Sequence, residues 1–272
     1  MAYLHCNFFS DALSLNTDIN VIIPSPNSDE LMNDKDSAYF VPGVKYQVLY
    51  LLHGTYGDYS DWMRLTSIEK YAQNHKLMVV MPSVGNSFYQ DMYIGPKYFT
   101  FMSEELPKYI QTLFPASSRR EDTFVAGLSM GGYGAAALAI RRPDLYAASG
   151  ILSAGIDFSD MFAENLALEN GAYPWPIKAI LPPPYSYADS DLNLVPILEE
   201  HLQNGVKLPK FLITAGQEDF VYPVFRQTVD YFTAKQIDFE VEEGQHGIHD
   251  WDYWDTHIQW VLDHMGLKDA TV

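Results

Sequence analysis

The sequence predicts an α/β protein with a mostly parallel, doubly wound sheet, and three observations support this. The chain has 272 residues, of which 47% are hydrophobic and 14% aromatic, so one large domain with a substantial core can form. Short apolar runs alternate with helical patterns along most of the chain, as in consecutive βαβ units. No repeat or low-complexity linker divides the sequence. We therefore expect a single domain over residues 1–272.

Eight segments are predicted to be strands. The first two are expected to pair with each other, and a polar, turn-rich surface loop is expected to follow at Ser25–Ser37. Several of the later segments are apolar throughout, which is typical of strands buried on both faces. In chain order the predicted strands are Leu4–Phe9, Ile19–Ile23, Tyr46–Leu52, Leu77–Met81, Asp122–Ala126, Ala147–Leu152, Lys210–Ala215 and Ile237–Val241.

Helical periodicity appears between these strands. Pro107 lies inside the second helical pattern, so that helix should begin or kink near it. The predicted helices are Ser67–His75, one around Met102–Leu113, Gly132–Ile140, one around Phe225–Phe232 and one around Trp254–Met265.

Residues 155–205 do not follow the alternation of strands and helices. The segment contains Tyr173-Pro-Trp-Pro176 and Leu181-Pro-Pro-Pro-Tyr185, which is too much proline for regular core elements. A long insertion after a strand near an active site often covers that site. We therefore expect a Pro/aromatic-rich cap insertion at about residues 155–205. The alternative is a surface excursion that does not touch substrate.

A tight turn between a strand and a helix carries the most informative motif. Residues 127–131 are Gly-Leu-Ser-Met-Gly, with an apolar strand pattern before them and a small-residue helix pattern after them. This context is that of the nucleophile elbow of the α/β-hydrolase fold. Glycines are needed there because a side chain would collide with the neighbouring strand or helix. The motif predicts Ser129 as a nucleophile; a glycine-rich turn that happens to contain serine is the alternative.

A nucleophilic serine needs a histidine base, and the histidine needs a carboxylate that orients it. In this fold the chain order is Ser, then Asp or Glu, then His, so both partners should follow Ser129. Glu218 and Asp219 lie just after the seventh predicted strand and are the favoured candidates for the acid. Asp157 and Asp160 follow an earlier strand and are weaker alternatives.

Two histidines, His246 and His249, lie between the last predicted strand and the last predicted helix. Local chemistry barely separates them as candidates for the base. A metal site formed by His246, His249 and Asp250 is a further alternative. It is disfavoured because a three-residue loop spacing is not a strong ligand pattern.

Five stretches resemble the tributyrin esterase and esterase D-like family of α/β-hydrolases, which includes the S-formylglutathione hydrolases and is related to mycolyltransferases. They run in order through most of the chain and are more specific together than the elbow alone. The resemblance implies Asp219 as the acid and His249 as the base, because the family's catalytic histidine opens an H-x-W-x-x-W-like run. His246 is then an extra loop histidine. The stretches are Leu49–Gly54, Asp61-Trp62, Gly127–Gly134, Gly216–Phe220 and His249–Trp254.

Acyl transfer builds negative charge on the carbonyl oxygen, so backbone N–H donors must already be in place. The amide of Met130, directly after the nucleophile, is one expected donor. The other should come from the loop after the strand at Tyr46–Leu52, and the resemblance implies Thr55, the residue after His-Gly. His53 is expected to stabilise this turn rather than to act on substrate.

Several aromatic residues are candidates for the walls of the acyl pocket. Trp62, Tyr133 and Trp251 are equally plausible as pocket residues and as ordinary core residues. Aromatic residues of the expected cap would narrow the pocket further, so we expect the best activity on acetyl to butyryl esters. The cap aromatics are Trp175, Tyr185 and Tyr187.

The charge balance limits the range of partners. The chain has 17 Lys and Arg against 35 Asp and Glu, a net charge of −18, which opposes binding to nucleic acid or an anionic membrane. The single Cys6 excludes an intrachain disulfide framework. Residues 1–7 lack the features of a secretory signal, and no apolar run approaches the ~20 residues that span a bilayer. We expect a cytoplasmic protein, and a homo-oligomer remains open.

The sequence therefore predicts a serine carboxylesterase that hydrolyses short-chain acyl esters through an acyl-enzyme, without cofactor or metal. An S-formylglutathione hydrolase-type thioesterase is the alternative, although Tyr133 stands where those enzymes more usually have histidine. Feruloyl and carbohydrate acetyl esterases share the scaffold and remain open. Outside the enzymes, the alternative is a binding module that keeps the fold without catalysis.

Overall fold

The computed structural model describes residues 1–26, 28, 32, 42–168, 175–244 and 246–268. Within these ranges the chain forms eight strands, each overlapping one of the eight predicted from the sequence. Part of the loop predicted at Ser25–Ser37 lies outside the described residues. The strands are β1 (Ala2–Ser10), β2 (Leu15–Ile23), β3 (Val48–Leu52), β4 (Met78–Pro82), β5 (Thr123–Leu128), β6 (Ala148–Leu152), β7 (Lys210–Gly216) and β8 (Phe239–Gly244).

The eight strands form one sheet in the order β1-β2-β4-β3-β5-β6-β7-β8. β1 pairs antiparallel with β2, as expected, and β2 pairs antiparallel with β4. All remaining neighbours, from β4 to β8, are parallel. The mostly parallel sheet predicted from the sequence is confirmed.

The described helices lie on both faces of this sheet. Pro107 occupies the second position of α4, and a π-helical stretch at Phe101–Glu105 joins α3 to α4, so the expected irregularity near Pro107 is present. The helices are α1 (Asp61–Leu65), α2 (Ile68–Asn74), α3 (Tyr98–Thr100), α4 (Leu106–Leu113), α5 (Met130–Arg141), α6 (Ser159–Ala167), α7 (Ile177–Ile180), α8 (Leu194–Gln203), α9 (Tyr222–Lys235) and α10 (Trp251–His264).

The core has two layers, one on each face of the sheet. In β3, Val48, Tyr50 and Leu52 join the layer under α4, α5, α8 and α9, whereas Leu49 and Leu51 join the layer under α1, α2 and α10. All five residues are buried, because successive side chains of a strand point to opposite faces and both faces are covered. This explains why the strand is apolar throughout.

Residues 169–174, which include Tyr173 and Pro174 of the proline-rich motif, lie outside the described residues. The described parts of the segment 155–205 are more regular than its proline content suggests. They contain α6, α7 and α8, and Pro196 fits into α8 because it lies in the first turn, where a backbone N–H has no partner within the helix. The segment is tied to the loop after β4 by backbone bonds from Tyr93 N to the Ile180 oxygen (3.1 Å) and from Ile94 N to the Ala179 oxygen (2.9 Å).

The strand order places a crevice at the carboxyl edge of the sheet. The chain runs outward from β3 to β4 on one side and from β5 to β8 on the other, so the connections diverge between β3 and β5. In open α/β sheets, ligands bind at the carboxyl ends of the strands beside such a switch point. The loops that follow β3, β5, β7 and β8 all meet at this edge.

Candidate active site

Ser129 lies at a sharp turn between β5 and α5. Its backbone has φ 53° and ψ −122°, a left-handed conformation that is costly for a residue other than glycine. The Ser129 amide donates to the Leu152 oxygen at 2.8 Å, which ties the turn to β6. The side chain is half-buried, at the carboxyl edge of the sheet.

The glycines around Ser129 make this turn possible. A Cβ placed on Gly127 would lie 2.4 Å from the Gly131 oxygen and 2.7 Å from Leu52 Cβ. A Cβ on Gly131 would lie 2.5 Å from the His53 oxygen. Backbone atoms cannot move aside as a flexible side chain can, so both positions require glycine. A side chain at either position would therefore collide with the neighbouring backbone, as the sequence motif predicts.

His249 approaches Ser129 from the loop between β8 and α10. Its Nε2 lies 2.9 Å from Ser129 Oγ. Asp250 is the N-cap of α10, because its Oδ1 accepts a hydrogen bond from Tyr253 N at 2.9 Å. This cap sets the start of the helix one residue after Asp250 and thereby places His249 just before it.

Asp219 lies on the other side of the His249 ring, in the loop after β7. His249 Nδ1 is 2.9 Å from each Asp219 carboxylate oxygen, and the Asp219 side chain is fully buried. A carboxylate can only accept, so Nδ1 carries the proton and Nε2 is left to accept from the Ser129 hydroxyl. The three side chains form a continuous chain of hydrogen bonds.

The other candidates for the acid and the base lie elsewhere. The Glu218 side chain is 60% exposed and the His246 side chain is 88% exposed, with 3.8 Å between His246 Nδ1 and Glu218 Oε1. Asp157 accepts a hydrogen bond from the Ser159 amide within its own turn (2.9 Å), and Asp160 is exposed in the first turn of α6. The structure thus brings Asp219 and His249, and not these residues, to Ser129.

His53 is a buried neutral histidine beneath the loop after β3. Its Nδ1 donates to the Gly54 oxygen at 2.7 Å, and its Nε2 accepts from the Val84 amide at 3.1 Å. Burial lowers the pKa of His53 to about 4; the hydrogen bond to Gly54 and the charge of Asp58 oppose this shift without reversing it. The residue therefore shapes the turn, as expected from the sequence.

The loop after β3 runs directly beside Ser129. A Cβ on Gly54 would be 3.4 Å from Ser129 Cβ and 2.6 Å from Leu128 Cδ1, so only a bare backbone can pass there. Thr55, the next residue, is half-buried. Met130 opens α5, and the first amides of a helix have no partner within it. The two residues expected to supply oxyanion donors thus flank Ser129.

Two of the three expected pocket aromatics are core residues. Trp62 is 1% exposed and its Nε1 donates to the Leu52 oxygen at 3.0 Å. Tyr133 is fully buried, and its hydroxyl donates to the Leu192 oxygen at 2.6 Å. With their polar groups satisfied by backbone, both rings pack in the interior. Trp251 is half-buried and meets Trp62 edge-on at 5.4 Å.

One aromatic residue at the site was not singled out from the sequence. The ring of Phe220 lies 4.5 Å from the His249 ring, and Phe220 is 56% exposed. An exposed phenylalanine against the proposed base can contact a bound ligand. Its position directly after Asp219 was the available signal.

The described ranges provide no group of three or more His, Cys, Asp or Glu side chains arranged to hold a metal ion. Asp250 serves as a helix cap and His246 is exposed, so the loop does not assemble the alternative metal site. None of the helices in the described part of the chain has both the length and the apolar character of a membrane span.

Comparisons with known proteins identify the family of this chain. The profile of the family described as "Putative esterase" matches residues 14–262. An acetyl esterase of Caldicellulosiruptor saccharolyticus is 30% identical over 278 residues, covering 95% of this chain and 96% of that protein.

Two solved structures from Staphylococcus aureus are similar along nearly the whole chain. One is the fluorophosphonate-binding serine hydrolase F, with a TM-score of 0.83, 33% identity and coverage of 97% of this chain and 98% of that chain. The other is an S-formylglutathione hydrolase, with a TM-score of 0.81, 31% identity and the same two coverages. The chain is therefore a serine esterase that belongs to the esterase D-like family of α/β-hydrolases.

Proposed function

We propose that this esterase hydrolyses short-chain carboxylic esters, with Ser129, His249 and Asp219 as its catalytic triad. One observation carries the assignment of the triad: the 2.9 Å contacts from Ser129 Oγ through the His249 ring to the buried Asp219 carboxylate. This is the arrangement that turns a weakly nucleophilic hydroxyl into an attacking group.

The reaction follows from these contacts. Ser129 Oγ attacks the carbonyl carbon of the ester while His249 Nε2 takes the hydroxyl proton, and the Asp219 carboxylate stabilises the imidazolium that forms. The amides of Thr55 and Met130 hold the oxyanion. When the carbon–oxygen bond to the alcohol breaks, His249 returns its proton to the leaving alcohol. Water then attacks the acyl-enzyme by the same route, which releases the carboxylic acid and restores Ser129.

A cap at about residues 155–205 supports the preference for short acyl groups. The indole N–H of Trp175 donates to Thr55 Oγ1 at 3.2 Å, which brings this segment to the loop beside Ser129. Each methylene that the pocket buries contributes about 0.8 kcal/mol, and this gain ends when the pocket is full. The acetyl esterase relative, similar over nearly its whole length, supports the same preference.

The second candidate is a thioesterase of the S-formylglutathione hydrolase type, as one structural relative is described. Charge near the site favours the neutral ester instead. Glutathione carries two carboxylates, whereas exposed Glu218 and the helix-capping Asp250 lie next to the triad residues Asp219 and His249 in the chain. Like charges repel, so these carboxylates oppose the binding of glutathione, whose net charge is negative.

An acyl-length series tests the proposal. We expect kcat/KM on p-nitrophenyl esters to be highest from acetyl to butyryl and to fall clearly by octanoyl, measured below micelle limits. S-Formylglutathione is assayed in parallel, and Ser129→Ala is the matched control for nonenzymatic hydrolysis. A preference for decanoyl or longer esters would reject the short-chain assignment. A kcat/KM for the thioester far above that of every oxygen ester would favour the second candidate.

A further inference from the structure

Trp175 links residues 155–205 to the loop that flanks Ser129. Its indole Nε1 donates to Thr55 Oγ1 at 3.2 Å, across 120 residues of sequence. Thr55 is the residue whose amide the proposed function uses as an oxyanion donor. A side chain of the expected cap therefore contacts a residue of the proposed catalytic site directly.

The indole of Trp175 is fixed in place by neighbours on both sides. Phe88, a fully buried residue of the loop after β4, meets it edge-on at 4.7 Å. Phe162, from α6, stacks against it at 5.4 Å. The Trp175 carbonyl accepts hydrogen bonds from Ile177 N (2.9 Å) and Asn165 Nδ2 (3.2 Å). The N–H of a ring held in this way has a defined direction.

The residue that follows Thr55 in the chain is held by weaker, solvent-exposed contacts. The next residue, Tyr56, is 79% exposed and has φ 68°, so the chain turns into solvent immediately after Thr55. The Tyr56 amide does bind Asn86 Oδ1 at 2.9 Å, but this contact is exposed. The Trp175 hydrogen bond is thus the contact that ties the Thr55 side chain to a buried cluster.

We propose that Trp175 is a positioning residue, which holds Thr55 so that its amide points at the developing oxyanion; this inference rests on the proposed function. Donors in an oxyanion hole stabilise the transition state only when they are already oriented. The contact between Trp175 and Thr55 therefore affects kcat, in addition to the effect of the expected cap on the shape of the pocket.

The role predicts a specific kinetic pattern. Trp175→Phe keeps an aromatic ring against Phe88 and Phe162 but removes the N–H. We expect kcat to fall about 3- to 10-fold, the effect of losing one neutral hydrogen bond, with KM unchanged. The fall should be the same for acetyl, butyryl and hexanoyl esters, because the oxyanion is common to all of them.

A double-mutant cycle tests whether Trp175 acts through Thr55. Thr55→Val keeps the shape of the side chain and removes the acceptor, so it should lower kcat by a similar factor. In the Thr55→Val background, Trp175→Phe should cause no further loss. Asp191→Asn is the control, because Asp191 makes a different contact between this segment and the body, its ion pair with Arg141 (2.8 Å), and should leave kcat unchanged.

The outcomes separate this inference from the proposed function. Circular dichroism and thermal unfolding establish that each variant is folded. Losses that multiply in the double variant, or a Trp175→Phe effect confined to KM or to one acyl length, would overturn the positioning role. An unchanged kcat in Trp175→Phe, in a preparation where wild type is active, would also overturn the positioning role. A wild type no more active than Ser129→Ala would instead refute the proposed function.

Discussion

His53 makes a prediction about the pH dependence of stability. The ring is fully buried, donates to the Gly54 oxygen and accepts from the Val84 amide, so a second ring proton would break the latter bond. Burial holds the pKa of His53 at about 4, below the ordinary value of 6.5. Between these two pH values the unfolded chain therefore binds a proton that the folded chain does not.

The sign and the size of the effect follow from proton linkage. The contribution of His53 to stability is complete above pH 6.5 and is lost as the pH falls towards 4. A fall in the pKa from 6.5 to about 4 corresponds to about 3 kcal/mol of stability, most of which should be lost by pH 4.5. This is a substantial fraction of the stability of a typical domain.

Urea unfolding at pH 7.5 and pH 4.5 measures the effect. His53→Gln removes the titrating ring and keeps an amide that can form hydrogen bonds. The variant should be less stable at pH 7.5, but its loss of stability between the two pH values should be about 2 to 3 kcal/mol smaller than that of wild type. His246→Gln makes the same substitution at an exposed ring and is the control for the substitution itself. An equal loss in wild type and His53→Gln would refute the assignment of a buried, neutral His53.

The remaining predictions concern the two loops that meet at Ser129. His249→Ala should lower kcat by orders of magnitude, whereas His246→Ala should change kcat by less than about tenfold, or roughly 1.4 kcal/mol in the activation barrier. Steady-state kinetics on p-nitrophenyl acetate measure both effects. A larger loss in His246→Ala than in His249→Ala would show that the choice of base is wrong. Phe220→Ala should raise KM for aryl acetates by more than for ethyl acetate, because an exposed ring 4.5 Å from His249 can pack on an aryl leaving group. Equal changes in KM for both alcohols would remove Phe220 from the site.

The sheet and the elbow could be predicted because their causes are local. A strand buried on both faces must be apolar throughout, as β3 is, and such a run is visible in the sequence. The turn at Ser129 requires glycines at 127 and 131, where backbone atoms leave no room for a Cβ. The preference for His249 over His246 rested instead on the family resemblance.

Features that depend on long-range packing could not be predicted in the same way. Nothing in the sequence near Trp62 or Tyr133 shows that their polar groups bond to the backbone of distant residues, so the choice between pocket and core stayed open. The hydrogen bond from Trp175 to Thr55 joins residues that only the folded chain brings together. The prolines in residues 155–205 argued against regular helices in the sequence. Pro196 is nevertheless compatible with α8, because it lies in the first turn of that helix.

Covalent trapping tests the central claim, that Ser129 is the nucleophile activated by His249. The protein is treated with a fluorophosphonate, and the modified residue is located by peptide mass spectrometry. We expect one label per chain, on Ser129. The label should form far more slowly in His249→Ala than in wild type, after the background reaction has been subtracted from both. Ser129→Ala should take up no label and hydrolyse no ester while retaining the circular dichroism of wild type. A label on another residue, or ester hydrolysis by folded Ser129→Ala, would contradict the account.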